Sequence, residues 1–378
     1  MLIIIKCFGV SVSFSRSDLR NTCLNSLLAF LFIVVYVLEF LYVCNNQILQ
    51  DNRKSEKVAV TILLYFLSIF GSNISTLVYL NFKSSKISTF LIRISKVDRI
   101  VDRQKLNQIY RNTRSYIIRY YVVGFTMVFL SHVGMYFSYY FYSFNAPSFF
   151  SECMSLTFNT VMAIQCNILV RILKTRFVIC NEMIIDSDYF TSNNAKFATK
   201  NRIFELTSRW NEIKTPGLNI QHLRRMYFEL YHCVQMFNSL FGFQILMITL
   251  SEFTIVVVTS HFGSYTYKSS NLAEIRPYIV FIYLLTRSAS VLFLVGQLAL
   301  LSQQTSEEVN KAILNIHKLI LFSSPSYEAV RELENLQNQL KDMKIEFSVC
   351  GFFTLNMSYF CAFMSGIVMY ALILVQLQ

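Results

Sequence analysis

The chain has 378 residues, of which 54% are hydrophobic and only 15% are charged, and its mean hydropathy is +0.44. Soluble globular proteins carry about 25% charged residues. Gly (10) and Pro (4) are scarce, which excludes disordered and collagen-like chains. No nucleic-acid-binding module accompanies the net charge of +12. The composition therefore predicts an all-α polytopic membrane protein.

Seven stretches are long and apolar enough to cross a bilayer, whose core of about 30 Å requires about 20 residues of helix. The four prolines all fall between these stretches, as expected for largely uninterrupted helices. We predict transmembrane helices at about 24–44, 58–80, 116–142, 149–173, 240–260, 278–300 and 349–377.

Lys and Arg residues are distributed unequally between the two sides that these helices define. The N-terminal tail and the segments 81–115, 171–239 and 301–348 hold 27 of them, whereas the alternate segments hold 5. Because cytoplasmic loops carry the excess of positive charge, the N-terminus is predicted to be cytoplasmic and the C-terminus extracellular. A G-protein-coupled receptor has the opposite orientation. The chain also lacks an Asp-Arg-Tyr-like triplet after its third span and an Asn-Pro-x-x-Tyr in its seventh.

The two longest cytoplasmic segments, 174–239 and 301–348, show helical periodicity that continues spans four to seven. Apolar residues recur at helical spacing at the end of the first segment and on either side of Pro325. We expect the helix that continues span four to end near Glu182, with a loop over Asp186–Lys200. Such apolar stripes pack against partner helices. We therefore predict a cytoplasmic helical bundle, called the anchor bundle below.

The sequence contains no pattern typical of catalysis or metal binding. The five His residues include no His-Glu-x-x-His motif, and the nine Cys residues follow no Cys-x-x-Cys spacing. A Gly-rich phosphate loop and a nucleophile elbow are also absent from the sequence. We expect no enzyme activity, no catalytic residue, no metal site, no cofactor and no nucleic-acid partner.

The C-terminal residues resemble the signature of the insect gustatory receptors. That signature is Thr-Tyr, five hydrophobic residues and Gln-Phe, preceded by a Gly-Phe-Phe-x-Leu-Asp-like stretch. The matching positions are Gly351, Phe352, Phe353, Leu355, Tyr370, the apolar run 371–375 and Gln376. Three positions depart from the signature, with Met369 in place of Thr, Leu377 in place of Phe and Asn356 in place of Asp. The resemblance of the motif covers about residues 345–378, and that of the predicted topology covers the whole chain.

The resemblance implies a ligand-gated cation channel in the plasma membrane of sensory neurons, built as a homotetramer or a heterotetramer with related receptors. In that family the seventh span lines the pore, the anchor bundle joins the subunits, and a small-molecule tastant binds among spans one to six. Gln376 and Leu377 would lie at the gate, and Tyr370 would couple the last span to its neighbours. Apart from its sugar and carbon dioxide receptors, the resembled family consists largely of divergent bitter-type receptors, so we expect a bitter tastant. Permeant cations and membrane lipid complete the expected partners.

Two other functions remain open at this point. An odorant-receptor-type channel shares the orientation and the anchor, although the spacing from Tyr370 to Gln376 argues for the gustatory type. A secondary transporter usually shows internal repeats and spans interrupted by Gly or Pro, and neither is visible in the sequence.

Ionisable residues inside predicted spans are candidates for function, because a charge in lipid is costly. We single out Glu39, Glu252 and Arg287, and we expect Glu252 and Arg287 to pair across adjacent helices, either in a ligand pocket or only to fix helix packing. Other polar side chains on the outward halves of the spans complete the candidate ligand site: Tyr42, Tyr65, His132, Tyr136, Tyr139, Tyr140, Asn159 and Tyr283. Tyr suits amphipathic ligands, but a single Tyr more commonly packs at the lipid interface.

One face of the last predicted span is a candidate pore lining. Ser365, Met369, Leu372 and Gln376 follow one another at spacings of four, three and four, which places them on one helix face. Polar side chains are costly in lipid and tolerable beside water. Alternatively, Gln376 lies at the outer headgroup boundary. With the family resemblance, a ring of Gln376 and Leu377 would gate by dewetting a hydrophobic constriction.

Overall fold

The computed structural model describes residues 56–82, 84–101, 103–142, 146–197, 216–269, 276–322 and 327–376, together with most of 30–42 and residue 45. The described residues are almost entirely helical, so the predicted all-α class is confirmed. The elements are α1 (Glu56–Phe82), α2 (Ser84–Asp98), α3 (Arg103–Tyr142), α4 (Ala146–Phe197), α5 (Pro216–Ser269), α6 (Arg276–Phe322), α7 (Tyr327–Asp342), β1 (Ser348–Val349), β2 (Phe353–Thr354) and α8 (Met357–Gln376). Helical residues between 30 and 42 lie within the predicted first span.

Three helices in the described part of the chain are long and apolar enough to cross a membrane unaided. Their apolar portions are Leu106–Phe137, Glu152–Ile185 and Ile220–Val258, and shorter apolar helices cover Ile33–Tyr42, Leu63–Thr76 and Met357–Ile373. These portions overlap six of the seven predicted spans. The remaining span, 278–300, lies within α6.

Helices α4, α5 and α6 are much longer than a bilayer is thick. They contain 52, 54 and 47 residues, and at 1.5 Å per residue each extends roughly 70–80 Å, against a bilayer core of about 30 Å. Each helix therefore carries a predicted span and continues beyond it.

Helix α4 ends later than the sequence predicted. It continues past Glu182 to Phe197, through most of the segment predicted as a loop at Asp186–Lys200. Residues 183–197 contain neither Gly nor Pro, and Ile184 is buried in the core that α4 forms with its neighbours. Packing at the start of this polar stretch and the lack of a helix breaker explain the difference.

The largest hydrophobic core runs along α2, α4, α5, α6 and α7, from within the predicted spans into their cytoplasmic parts. Its cytoplasmic portion is the predicted anchor bundle. Its fully buried side chains include Phe90, Phe177, Tyr227, Phe237 and Phe347. A buried ion pair adds to this core, because Arg176 on α4 donates two hydrogen bonds of 3.1 Å to the two carboxylate oxygens of Asp98 on α2.

The last helix begins at Met357 rather than at 349, because a short hairpin precedes it. Strands β1 and β2 pair through Ser348 with Thr354 and through Val349 with Phe353. The turn between them requires positive φ at Cys350 (52°) and Gly351 (78°), a conformation that Gly adopts freely and Cys does not.

The hairpin lies directly against α5. A Cβ atom at Gly242 would come within 3.0 Å of the backbone N of Cys350 and 3.3 Å of the backbone O of Ser348. Asn238, one turn earlier on α5, accepts a hydrogen bond from the Ser348 amide and donates one to the carbonyl of Glu346. The chain entering α8 is thus fixed to the anchor bundle.

Candidate functional site

A buried ion pair lies between α5 and α6. The Nη2 atom of Arg287 donates to both carboxylate oxygens of Glu252, at 2.9 and 3.1 Å. The two residues are 3% and 4% exposed. The expected pairing of Glu252 with Arg287 across adjacent helices is present, and it satisfies two charges that would be costly in isolation.

Two further polar side chains extend this pair across the helices. Asn159 on α4 donates a hydrogen bond of 3.0 Å to Glu252, and it accepts one of 2.7 Å from the hydroxyl of Ser72 on α1. Ser72, Asn159, Glu252 and Arg287, here called the polar cluster, therefore connect α1, α4, α5 and α6. All four side chains are buried.

A second carboxylate, Glu152 on α4, lies beside the polar cluster. The hydroxyls of Tyr65 on α1 and Tyr283 on α6 both donate to it, the latter at 3.5 Å, and Tyr283 lies one helix turn before Arg287 on α6. The structure thus brings together the predicted residues Tyr65, Tyr283, Glu252 and Arg287. Sequence reasoning missed Glu152, although a carboxylate inside the apolar stretch 149–173 was itself the signal.

Three other predicted ligand residues, His132, Tyr136 and Tyr42, have different surroundings. Both ring nitrogens of His132 on α3 lie near backbone oxygens, with Nδ1 2.6 Å from that of Val128 and Nε2 3.1 Å from that of Cys153. Tyr136 is 56% exposed and packs edge-on against Phe137, which fits packing at the lipid interface. Tyr42 is exposed too. The side chains of Tyr139 and Tyr140, and the whole of Glu39, lie outside the described residues.

Space beside the polar cluster is small in this conformation. A cavity of about 20 Å³ adjoins Glu252 and Asn159, and its other lining residues are Leu156, Thr160, Ala163, Ile248, Ser290, Leu294 and Val295. This volume holds about one water molecule, whereas ligand pockets occupy roughly 300 Å³ or more. An organic ligand could enter only if α4, α5 and α6 moved apart.

The predicted pore face lies on the surface of the chain. Ser365 and Gln376 are exposed, and Met369 and Leu372 are 60% and 57% exposed. Val368 on another side of α8 is also exposed, so exposure alone does not select this face. Leu377 lies outside the described residues.

Helix α8 begins with two caps. Asn356, which replaces the Asp of the resembled signature, accepts a hydrogen bond of 2.8 Å from the Tyr359 amide, and Asn serves as well as Asp at this position. The side-chain oxygen of Gln303 on α6 accepts a bond of 3.1 Å from the Met357 amide, and its amide group donates to Glu307. Helix α6 therefore holds the inner end of α8.

Aromatic packing connects the polar cluster to α8. Phe253 follows Glu252 on α5 and packs edge-on against Tyr370, with the ring centroids 5.7 Å apart. The same ring contacts Phe363, and a Cβ atom at Gly366 would lie 3.2 Å from it. Consecutive residues of α5 thus face the buried ion pair and the last helix.

Comparison with known proteins agrees with this architecture. The structure resembles the insect olfactory receptor OR5 from Machilis hrabei, with a TM-score of 0.61 at 12% sequence identity, covering 100% of this chain and 96% of that one. The same receptor in complex with eugenol gives a TM-score of 0.57 at 13% identity, with the same coverage. No curated protein sequence matches the chain. The 7tm Chemosensory receptor family matches residues 1–378, and the chain accordingly belongs to this family of membrane receptors, which are not enzymes.

Proposed function

We propose that this receptor is a tastant-gated cation channel, opened by bitter compounds at the plasma membrane of sensory neurons. It assembles as a homotetramer or a heterotetramer with related receptors through its anchor bundle, and α8 lines the central pore. The observation that carries the proposal is the continuity from the buried Glu252–Arg287 pair, through Phe253, to Tyr370 on α8. The C-terminal signature residues Tyr370 and Gln376 support the gustatory type.

The polar cluster is suited to respond to a ligand because its groups depend on one another. A ligand hydroxyl or amine that takes over one hydrogen bond of Glu252 leaves Arg287 or Asn159 with a weakened partner, which is costly in a buried site. Separation of α5 from α6 would enlarge the cavity, so that the ligand and water could satisfy the group that was left with a weakened partner. Because Phe253 lies on the same helix turn as Glu252, movement of α5 would shift its contact with Tyr370.

The pore is assigned to the face of Ser365, Met369, Leu372 and Gln376. In a tetramer four copies of this face would surround one axis, with Gln376 and Leu377 at its outer end. A ring of apolar side chains closes a pore by excluding water, and small displacements of these side chains let water enter.

Whole-cell recording tests this function directly. Cells expressing the chain, alone and with related receptors, are exposed to a panel of bitter compounds, and the evoked current should reverse at the potential set by the cation gradients. Current that depends on a coupled substrate gradient would instead indicate a secondary transporter.

A matched pair of variants tests the role of the polar cluster. Glu252→Gln removes one charge of the ion pair beside the proposed ligand site, and Asp98→Asn removes one charge of the equally buried pair in the anchor bundle. A charge-assisted hydrogen bond contributes about 1.5–3 kcal/mol, so Glu252→Gln should change the half-maximal concentration by about tenfold or more. Asp98→Asn should lower surface expression without that change. Equal half-maximal concentrations for the parent and both variants would remove the ligand site from this cluster.

The odorant-receptor-type channel stays as a second candidate, because the fold resembles that of an olfactory receptor solved with eugenol. Volatile compounds, eugenol among them, therefore belong in the same recordings. Responses to volatiles at lower concentrations than to any bitter compound would favour this alternative.

A further inference from the structure

The exposed side of α3 carries one continuous apolar stripe. Its members follow one another at spacings of four, three, four, four and three, and all are exposed: Ile118, Val122, Phe125, Phe129, Val133 and Tyr136. From Ile118 to Tyr136 the helix rises about 27 Å, which matches the bilayer core of about 30 Å. This stripe therefore marks where α3 meets lipid chains.

Arginines continue the same helix face beyond the inner end of the stripe. Arg114 and Arg111 lie four and seven residues before Ile118, hence about 6 and 10 Å further towards the cytoplasm. Arg119 directly follows Ile118, on the neighbouring side of the helix and within the length of the stripe. A side chain of this length reaches the level of Arg114 by extending along the helix towards the cytoplasm. All three are exposed. Their guanidinium groups therefore lie at the depth of the lipid headgroups.

These three arginines have no acidic partner among the described residues. Helix α3 contains no Asp or Glu at all, and the described ion pairs involve other residues. Arg119 makes only a long contact of 3.4 Å with the backbone oxygen of Ser115. Like charges one turn apart repel each other and destabilise a helix, so Arg111 and Arg114 leave a positive site without a compensating anion.

We propose that Arg111, Arg114 and Arg119 bind the headgroup of an anionic phospholipid in the cytoplasmic leaflet, while Ile118 and Val122 contact its acyl chains. Guanidinium groups suit phosphate because they donate paired hydrogen bonds in a planar arrangement. Clusters of basic residues immediately on the cytoplasmic side of a membrane span attract anionic lipids. The site does not depend on which ligand opens the receptor.

Native mass spectrometry of the purified full-length chain tests this proposal by counting bound lipids. Phosphatidylserine and phosphatidylcholine with identical acyl chains are titrated into the parent and into Arg111→Gln/Arg114→Gln. Each basic residue near an anionic surface contributes about fivefold to affinity. The double variant should therefore bind phosphatidylserine about 25-fold more weakly, with phosphatidylcholine binding unchanged.

Two further variants separate this site from general charge and from misfolding. Arg331→Gln/Lys341→Gln removes the same charge from exposed positions on α7 and should leave phosphatidylserine binding as in the parent. Arg111→Lys/Arg114→Lys keeps the charge and should retain binding within about threefold. If the α7 variant loses binding as much as the α3 variant, or if neither loses it, the proposed site is wrong.

The same experiment distinguishes lipid from other occupants. Inorganic phosphate at equal concentration should not displace phosphatidylserine, because the apolar stripe holds only the lipid. Displacement by phosphate would show a simple anion site. A change in the number of subunits in Arg111→Gln/Arg114→Gln would show that this face joins two copies of the chain. Either result would overturn the lipid assignment.

Discussion

Substitutions of the buried Glu252 and Arg287 should have strongly non-additive effects on the free energy of unfolding of the receptor. Glu252→Gln leaves Arg287 charged and removes one of its two acceptor oxygens. Breaking a buried ion pair costs about 3–5 kcal/mol, so we expect this variant to lower the free energy of unfolding by about 3 kcal/mol. Arg287→Met leaves Glu252 with only the bond from Asn159 and should cost about 4 kcal/mol.

The double variant Glu252→Gln/Arg287→Met removes both charges and leaves neither uncompensated. Independent effects would add to about 7 kcal/mol, but we expect about 4 kcal/mol, which is a coupling of about 3 kcal/mol. The measurement is the loss of helical circular dichroism of the purified receptor as the mole fraction of SDS in mixed micelles rises. A coupling below about 0.5 kcal/mol, the range of independent sites, would refute the reasoning that this pair is held by mutual compensation.

Four further outcomes are expected. An epitope tag at the N-terminus should bind antibody only after cells are permeabilised, and labelling of intact cells would reverse the orientation. Tyr283→Phe removes a hydroxyl from Glu152 and should shift the half-maximal ligand concentration severalfold, whereas Tyr136→Phe on the exposed face should not; equal shifts would argue against the proposed pocket. Phe253→Ala should leave ligand binding intact but reduce the maximal current, and an unchanged current would remove the coupling role of its contact with Tyr370. Leu377→Ser should pass current without ligand, and silence at rest together with a parental response would exclude this position from the gate.

The presence of the helices could be predicted because it depends on local properties of the sequence. Apolar runs and helical periodicity predicted where apolar and amphipathic helices lie, since both report which face of a helix is buried. The end of α4 could not be located in this way, because burial of Ile184 depends on its neighbours in the bundle. The hairpin before α8 was missed for a similar reason, since positive φ at Cys350 is imposed by its setting.

The candidate site was predicted only in part. Glu252 and Arg287 are conspicuous as charges in apolar helices, and their pairing follows from the cost of leaving either alone. The hydroxyl of Tyr65 reaches Glu152 across 87 positions of the sequence, and that of Tyr283 across 131. Such partners depend on how the helices pack in three dimensions, which a single sequence does not specify.

The cap that Gln303 places on the Met357 amide makes the inner end of α8 a fixed pivot. Helix α8 has 20 residues and is therefore a lever about 30 Å long. A tilt of about 5° about this pivot moves the outer end by about 2.6 Å while the inner end stays in place. In the proposed tetramer, two α8 helices that face each other across the pore and tilt together would widen the space between them by about 5 Å. That is enough to admit a single file of water molecules. A modest rotation set in motion at Phe253 could thus be amplified by the length of the helix alone, with no change in the anchor bundle.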